Sequence, residues 1–188
     1  LLIKSFQNSY ESESLAISSV RAGNVIGGGD LSSDRLLPDI YRAIASKQKI
    51  KLRNPMATRP WQHVLEPLIG YLMVAEDLFE FGHQNNDAWN FGPRASDIRT
   101  VAEIAKLFAE EWGVDNIEEE ESLQHYHEAN LLSLDSTKAH SKLNWQPIWN
   151  VEVAIKKTAE WYQAFEKKID ILGKTNQQIQ EYISAVKL

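Results

Sequence analysis

The feature that most constrains the fold of this chain is a glycine-rich segment, residues 20–30, directly preceded by the β-prone residues 15–20. This order predicts a buried strand that ends in a loop. Arg21 and Asn24 lie at the carboxyl end of that strand, where open α/β sheets bind their ligands. The alternative is an ordinary tight connection from a strand to a helix. Four glycines in the segment allow positive φ and a close approach of the backbone to a ligand: Gly23, Gly27, Gly28 and Gly29.

The distribution of charge narrows the class of ligand. The net charge of −6 argues against a nucleic acid or an anionic membrane surface as a partner. All seven arginines nevertheless lie between residues 21 and 99, and the cations beyond that range are lysines. Because the planar guanidinium suits bidentate phosphate binding, this asymmetry predicts a local anionic ligand. The alternative is a set of scattered surface ion pairs.

Several other classes of protein are excluded or disfavoured by composition. The sequence has no cysteine, which excludes disulfides and thiolate metal sites, and its five histidines never fall in a metal-ligand spacing. No apolar run reaches the roughly 18 residues of a membrane span. The opening residues are too short for a signal-peptide core, so we expect a cytoplasmic protein. Residues 1–10 resemble the tail of a helix without a capping residue, so we expect a piece of a longer protein.

The hydrophobic pattern predicts strands and helices in alternation, followed by a mostly helical second part. The predicted helices cover residues 35–47, 66–81, 100–112, 135–142, 150–168 and 175–186. Thr100 and Glu103 form a capping box at the start of the third helix, and Asn150 caps the fifth. The predicted strands cover residues 15–20, 50–53, 88–93 and 131–134, with a short extended segment at 61–65. Residues 54–60 contain two prolines and are predicted as a loop, and residues 117–121 as a solvated edge or loop. Five tryptophans are expected in the core: Trp61, Trp89, Trp145, Trp149 and Trp161.

Seven segments carry a resemblance to a known family. They are Arg21–Asp30, Asp34–Asp39, Leu52–Pro55, Ala57–Pro67, Asn90–Pro93, His127–Asn130 and Leu143–Pro147. In this order they resemble the CDP-glucose 4,6-dehydratases, a family within the extended short-chain dehydrogenase/reductase (SDR) superfamily of nucleotide-sugar-modifying enzymes. The resemblance covers nearly the whole chain. The segment from Asn54 to His63 differs from the corresponding loop of the dTDP-glucose relatives.

The resemblance implies an α/β fold, the C-terminal part of an extended SDR. Residues 1–30 would end a Rossmann-type domain. Residues 31–188 would form a smaller, mostly helical nucleotide-sugar-binding domain with short strands, with residues 61–93 returning to the edge of the Rossmann sheet. The family's Gly-x-x-Gly-x-x-Gly turn and its Tyr-x-x-x-Lys pair are not in this sequence. We therefore expect no catalytic residue and no bound NAD in this chain, which should be inactive alone.

The resemblance assigns roles to residues around the glycine-rich loop. Asn24 matches a residue that binds the substrate diphosphate, and Val25 would approach the nicotinamide end of NAD. Arg35 and Leu36 match the start of the helix that cradles the nucleotide. The alternative for Asn24 is a turn asparagine in a left-handed conformation.

The resemblance also assigns substrate-binding roles further along the chain. Lys51 and Arg53 would lie on the strand beside the base. Arg59 and Asn90 would bind the diphosphate from two sides, and His127 is a further substrate-binding candidate. For Arg53 and Arg59 the alternative is a solvated side chain or a surface ion pair, and for His127 a cap on backbone groups.

The activity that the resemblance implies is that of an NAD-dependent lyase. It converts CDP-D-glucose, the expected small-molecule partner, into CDP-4-dehydro-6-deoxy-D-glucose and water. We also expect a homodimer, because the half-sheet would leave apolar surface and strand edges exposed. Two alternatives stay open. One is another nucleotide-sugar 4-epimerase or dehydratase of the superfamily, and the other is a non-catalytic binding module.

Overall fold

The structure is a computed structural model that describes residues 2–10, 15–119 and 133–186. The helices are α1 (Leu2–Ser9), α2 (Leu36–Ala45), α3 (Leu65–Phe81), α4 (Val101–Glu110), α5 (Thr137–Leu143), α6 (Val151–Glu166) and α7 (Ile171–Ala185). The strands are β1 (Ser19–Ala22), β2 (Asn24–Ile26), β3 (Ile50–Leu52), β4 (Thr58–His63), β5 (Ala88–Phe91), β6 (Ile98–Thr100) and β7 (Ile117–Glu119).

The strands form three small sheets, and parallel pairs dominate. Strand β1 pairs in parallel with β5, β2 with β4, and β3 with β7, whereas β4 and β6 are antiparallel. The connection from β2 to its parallel partner β4 passes through α2, as expected for a crossover between strands of a parallel sheet. Parallel strands joined through helices confirm the α/β class that was predicted from the sequence.

Two hydrophobic cores hold these elements together. The larger one lies among α2, α4, α6 and the strands β2 to β4, and Ile104, Phe108 and Tyr162 are completely buried in it. The smaller one joins α3, α5 and β5 through Val74 and Phe91. Four of the five predicted core tryptophans are buried, Trp61, Trp89, Trp145 and Trp161, and Trp149 is half-buried.

The first predicted strand was wrong in position and in burial. The chain forms two short strands, β1 and β2, interrupted at Gly23. The ladder of β1 begins at Ser19 because its partner strand β5 begins at Ala88. Residues 15–17 have β propensity but no partner strand among the described residues, so propensity alone placed the strand too early. Val20 is 36% exposed, so β1 is not buried within the described chain.

Residues 58–60 were predicted as loop but belong to β4. Pro60 lacks a backbone N–H and was therefore expected to exclude a strand. It lies where β4 changes partners, since residues 58–60 pair with β6 and residues 61–63 pair with β2. At this change of partner, a missing donor does not interrupt a continuous ladder.

The first residues of the helices agree best with the prediction from the sequence. Thr100 and Glu103 form the predicted capping box of α4, and Asn150 caps α6 through the backbone N–H of Val153. Helix α7 begins four residues before its prediction, because Asp170 accepts a hydrogen bond from Gly173 N and caps it there. Of the two alternatives predicted for residues 117–121, an edge or a loop, residues 117–119 form the edge strand β7, in which Glu118 is exposed. Of the strand predicted at 131–134, residues 131 and 132 lie outside the described chain, and residues 133 and 134 are not extended into a strand.

Candidate functional site

A cavity of about 620 Å³ opens at the carboxyl end of β2. Strands β2 and β4 form one side, the start of α2 another, and Tyr162 of α6 a third. Five of the residues proposed from the resemblance line this main cavity: Asn24, Val25, Arg35, Leu36 and Arg59. The carboxyl end of a parallel strand is where open α/β sheets bind ligands, so the location agrees with the fold.

Strand pairing brings Asn24 and Arg59 to the same cavity. Asn24 pairs with Trp61 across β2 and β4, and Arg59 precedes Trp61 by two residues on the same strand. Arg59 Nη1 donates to the carbonyl oxygen of Thr58 at 2.8 Å, and both residues have further partners. The guanidinium is therefore held in place as part of the cavity wall.

A second cavity of about 570 Å³ adjoins the first. Lys51 of β3 and Arg53, which directly follows β3, line it, and it shares Arg59 and Leu36 with the main cavity. Arg53 Nη2 lies 2.9 Å from Oδ1 of Asp34, and the two side chains are 79% and 70% exposed. Such an exposed pair contributes at most about 1 kcal/mol to stability, so Arg53 remains available to a ligand.

Among the described site candidates, Asn90 is not brought to these cavities. Asn90 lies on β5, pairs in register with Arg21 of β1, and lines neither cavity. Its Nδ2 donates to the carbonyl oxygen of Asp135 at 3.2 Å. His127 lies outside the described residues. The substrate-binding roles of both residues stay predictions.

Tyr162 is among the cavity residues that the sequence did not identify as site residues. Its ring is completely buried and stacks on Tyr41, with ring centroids 4.7 Å apart. Its hydroxyl donates to the carbonyl oxygen of Asp30, which also lines the main cavity. Burial is the main cause that raises the pKa of Tyr162 to about 12, so the hydroxyl stays protonated and donates at neutral pH. The sequence predicted only the helix of residues 150–168, in which Tyr162 lies.

The end of β4 carries a buried histidine beside the cavity loop. His63 Nδ1 accepts a hydrogen bond from Leu65 N at 3.3 Å, and Nε2 has no partner in the described chain. Burial, with the nearby Lys157 charge as a smaller cause, lowers the pKa of His63 to about 4. His63 is therefore neutral at pH 7, and its ring packs edge-on against Trp149 at 4.8 Å.

Neither a metal site nor a membrane-spanning helix is found among the described residues. They contain no group of three or more His, Cys, Asp or Glu side chains placed to hold a metal ion. They also contain no helix with the length and hydropathy needed to cross a bilayer. The polar side chains that line the main cavity are two guanidinium groups, a carboxamide and a phenol, together with the carboxylates of Asp30 and Asp34. The guanidinium and carboxamide groups can donate hydrogen bonds to an anionic ligand.

Comparison with known proteins bears on the same site. The chain is 41% identical, over 98% of its length, to the CDP-glucose 4,6-dehydratase of Salmonella typhimurium. The resemblance found in the sequence is confirmed. The chain spans 53% of that relative, about half its length, and no family model matches the chain.

Solved structures show the same fold at low identity. A UDP-glucose 4-epimerase from Stenotrophomonas maltophila, with bound NAD and formylated UDP-arabinopyranose, matches with a TM-score of 0.73 and 16% identity. The match covers 89% of this chain and 53% of the epimerase. A dTDP-glucose 4,6-dehydratase from Bacillus anthracis in complex with NAD matches with a TM-score of 0.70 and 16% identity, over 89% of this chain and 50% of that one. The fold is that of the extended SDR dehydratases and epimerases.

Proposed function

We propose that this chain supplies the nucleotide-sugar-binding portion of an NAD-dependent lyase that converts CDP-D-glucose into CDP-4-dehydro-6-deoxy-D-glucose and water. The observation that carries the proposal is the shared cavity of Asn24 and Arg59, in a chain that is 41% identical to a CDP-glucose 4,6-dehydratase. The cytoplasmic location and a role in deoxysugar biosynthesis for the lipopolysaccharide O-antigen are part of this proposal.

The diphosphate would bind at the main cavity. Arg35 and Arg59 both line it, and the Asn24 carboxamide adds a neutral donor. Hydrogen bonds to charged groups contribute roughly 1.5–3 kcal/mol each, so two such contacts are enough for useful affinity. The bidentate geometry of arginine also fixes the orientation of the diphosphate, which then positions the hexose for reaction.

The nucleoside would extend into the second cavity. Lys51 and Arg53 line that cavity, and Arg59 lies on the wall shared with the first. A nucleoside diphosphate sugar is elongated, and two adjoining cavities with an arginine between them suit its base, diphosphate and hexose in that order. Asn90 and His127 would act at the hexose or diphosphate in the complete site, as the resemblance implies.

NAD fits this chain only at one end. Val25 is 41% exposed and lines the main cavity, so it is available to contact a nicotinamide ring. The glycine-rich turn that seats the pyrophosphate of NAD is not in this sequence. When bound, NAD would supply a hydride acceptor and donor for the sugar carbons. The residues of this chain bind and orient the nucleotide-sugar, and we expect the chain by itself to be inactive.

Isothermal titration of the chain with CDP, UDP and dTDP tests the proposal. We expect CDP to bind tightest of the three. The R21M variant is the matched control, because Arg21 is an exposed strand arginine that lines neither cavity, and it should bind CDP like the wild type. Absence of binding by all three nucleotides would contradict the proposal.

A second candidate function shares the same cavities. The fold is shared with 4-epimerases that carry UDP-sugars, which favours another nucleotide-sugar 4-epimerase or dehydratase as the alternative. Tighter binding of UDP or dTDP than of CDP in the same titration would select this alternative.

We also propose that the chain self-associates, as a homodimer. Exposed apolar side chains on α1 and α3 support this, among them Leu2, Leu72 and Phe79, which are 73%, 65% and 93% exposed. Sedimentation velocity should show a dimer that dissociates on dilution. A monomer across the whole concentration range would contradict association.

A further inference from the structure

A line of contacts runs from the last helix to the wall of the main cavity. The buried indole of Trp161 on α6 donates through Nε1 to Oγ1 of Thr175 on α7, at 3.0 Å. The same indole lies flat against Gly28. A Cβ built on Gly28 would be 2.0 Å from Cγ of Trp161, so no side chain fits there. Gly28 belongs to the loop of residues 27–30, and Gly27 and Asp30 of this loop line the cavity.

Helix α6 holds this loop at two points with two consecutive residues. The Trp161 indole supports Gly28, and the Tyr162 hydroxyl donates to the carbonyl oxygen of Asp30. The Tyr162 contact is direct and ends at the cavity. The Trp161 contact depends on the tilt of the indole, and its Nε1 hydrogen bond to Thr175 fixes that tilt.

Contacts other than Thr175 dock α7 on the rest of the chain. Lys174 Nζ lies 2.8 Å from Oε2 of Glu160, and Gln178 Nε2 donates to the carbonyl oxygen of Lys157 at 2.8 Å. Tyr182 donates to Oε2 of Glu66 at 2.6 Å. Loss of the Thr175 hydroxyl would therefore leave α7 in place while leaving the buried indole N–H without its acceptor. A buried donor without a partner is unfavourable, so the indole would move toward another acceptor.

We infer that Thr175 is a positioning residue for nucleotide binding, which acts through Trp161 on the loop of residues 27–30. Thr175 lines neither cavity, and its effect reaches the ligand only through the indole and the backbone of Gly28. The inference rests on the proposed function and deepens it, because it names a residue outside the cavity that sets the shape of the diphosphate end.

Three variants of the chain separate positioning from simple loss of packing. T175V keeps the shape of the side chain and removes the acceptor, T175S keeps the hydroxyl, and K174M removes a neighbouring contact between α6 and α7. We expect T175V to raise the Kd for CDP about fivefold, the loss expected for one unpaired buried donor. T175S and K174M should stay within about twofold of the wild type, by the same scale of free energy. Wild-type affinity in T175V, or an equal loss in K174M, would overturn the inference.

A readout without nucleotide separates failure of this inference from failure of the proposed function. A Cβ built on Gly28 takes the place of one Hα and lies 2.0–2.5 Å from three atoms of the indole. We therefore expect the ring to shift the Hα NMR signals of Gly28 away from ordinary glycine values, most strongly for that proton. In T175V these signals should move toward ordinary glycine values, while T175S and K174M leave them unchanged. Unchanged Gly28 signals in T175V would overturn the inference even if CDP binds. If no nucleotide binds the wild type, the proposed function fails, and a moved Gly28 signal still supports Thr175 as the residue that positions the loop.

Discussion

Two regions of this molecule differ in how completely the chain covers its own apolar surface. The closed region consists of α2, α4, α6 and α7 with the strands they cover, and Ile104 and Phe108 in it are fully buried. The open region consists of α1, β1 and the outer face of α3, which carries Leu72 and Phe79. No residue of α1 is buried within the described chain, and Phe79 of α3 is 93% exposed.

The difference shows which part of the site is built by this chain alone. The residues that line one or the other of the two cavities belong to the closed region. They come from α2, α4, α6, β2, β3, β4 and the adjoining loops. Their geometry is fixed by packing that is complete within the chain. The open region leaves Leu2, Leu72 and Phe79 largely exposed, and these are side chains that the proposed self-association would cover.

The largest expected loss of stability comes from replacing Glu66, a buried carboxylate in the first turn of α3 that joins this helix to α7. Glu66 is 0% exposed and accepts hydrogen bonds from the backbone N–H groups of Ile148 and Trp149 and from the Tyr182 hydroxyl. E66A leaves three donors unsatisfied, and each costs roughly 1–3 kcal/mol, so we expect a loss of about 4 kcal/mol or more in the free energy of unfolding. Urea denaturation measures it.

The control for this prediction is E76A, on the same helix but at an exposed position. Its effect should stay within about 0.5 kcal/mol. Equal losses in E66A and E76A would mean that the closed region does not depend on this carboxylate.

The next largest loss of stability is expected in the loop of residues 27–30, which packs on α6 and lines the main cavity. G28A places a Cβ 2.0 Å from the Trp161 ring, and overpacking of this kind costs about 1–3 kcal/mol. G113A is the matched control, because Gly113 has a φ of +65° and no neighbour within 4 Å of its built Cβ. It should lose only the backbone term of about 1 kcal/mol. A G28A protein as stable as G113A would show that the loop is free to move away from α6.

The pH dependence of stability measures whether water reaches the buried ring of His63. Because its pKa falls to about 4 in the folded state, below the ordinary 6.5, protonation favours the unfolded chain. The contribution of neutral His63 to the free energy of unfolding is fully present above pH 6.5 and is lost as the pH falls toward 4. Burial raises the pKa of Glu66, so protonation of Glu66 has the opposite effect on the free energy of unfolding. This effect is present in the wild type and in an H63Q variant alike.

The comparison is therefore between the wild type and H63Q. Between pH 7 and pH 4.5 the wild type should lose roughly 2 kcal/mol more of its free energy of unfolding than H63Q does. Chemical denaturation at each pH gives both curves. Parallel curves would mean that water reaches the His63 ring.

The smallest effect on stability is expected in the open region. The double variant L72S/F79S replaces two exposed apolar side chains of α3 and should change the free energy of unfolding by less than about 0.5 kcal/mol. Its sedimentation should nevertheless show weaker self-association than the wild type. A large loss of stability would show that Leu72 and Phe79 contribute to a core within the chain.

The sequence predicted what is set locally and missed what is set by distant partners. The capping box of Thr100 and Glu103 and the cap at Asn150 depend on residues three apart, and both were identified. Pro60 in a strand depends on β4 changing its partner, which no local pattern contains. Tyr162 contacts Asp30 across 132 positions, so its place at the cavity was not visible.

The site was predictable only in part, for the same physical reason. The resemblance named Asn24 and Arg59, and strand pairing brings both to one cavity. It also named Asn90, whose carboxamide is bound to the Asp135 carbonyl outside the two cavities. A motif identifies the chemistry of a residue, whereas the register of the strands decides where that residue lies.

The central claim is that Arg59 binds the diphosphate of a cytidine nucleotide, and a thermodynamic cycle tests it most directly. Titration of CDP and CMP into the wild type, R59M and the control R21M gives the contribution of the terminal phosphate in each protein. We predict that the wild type and R21M bind CDP at least about tenfold tighter than CMP, because one charged hydrogen bond is worth that much. In R59M this preference should fall to about twofold or less. A preference for CDP that R59M keeps in full would contradict the account.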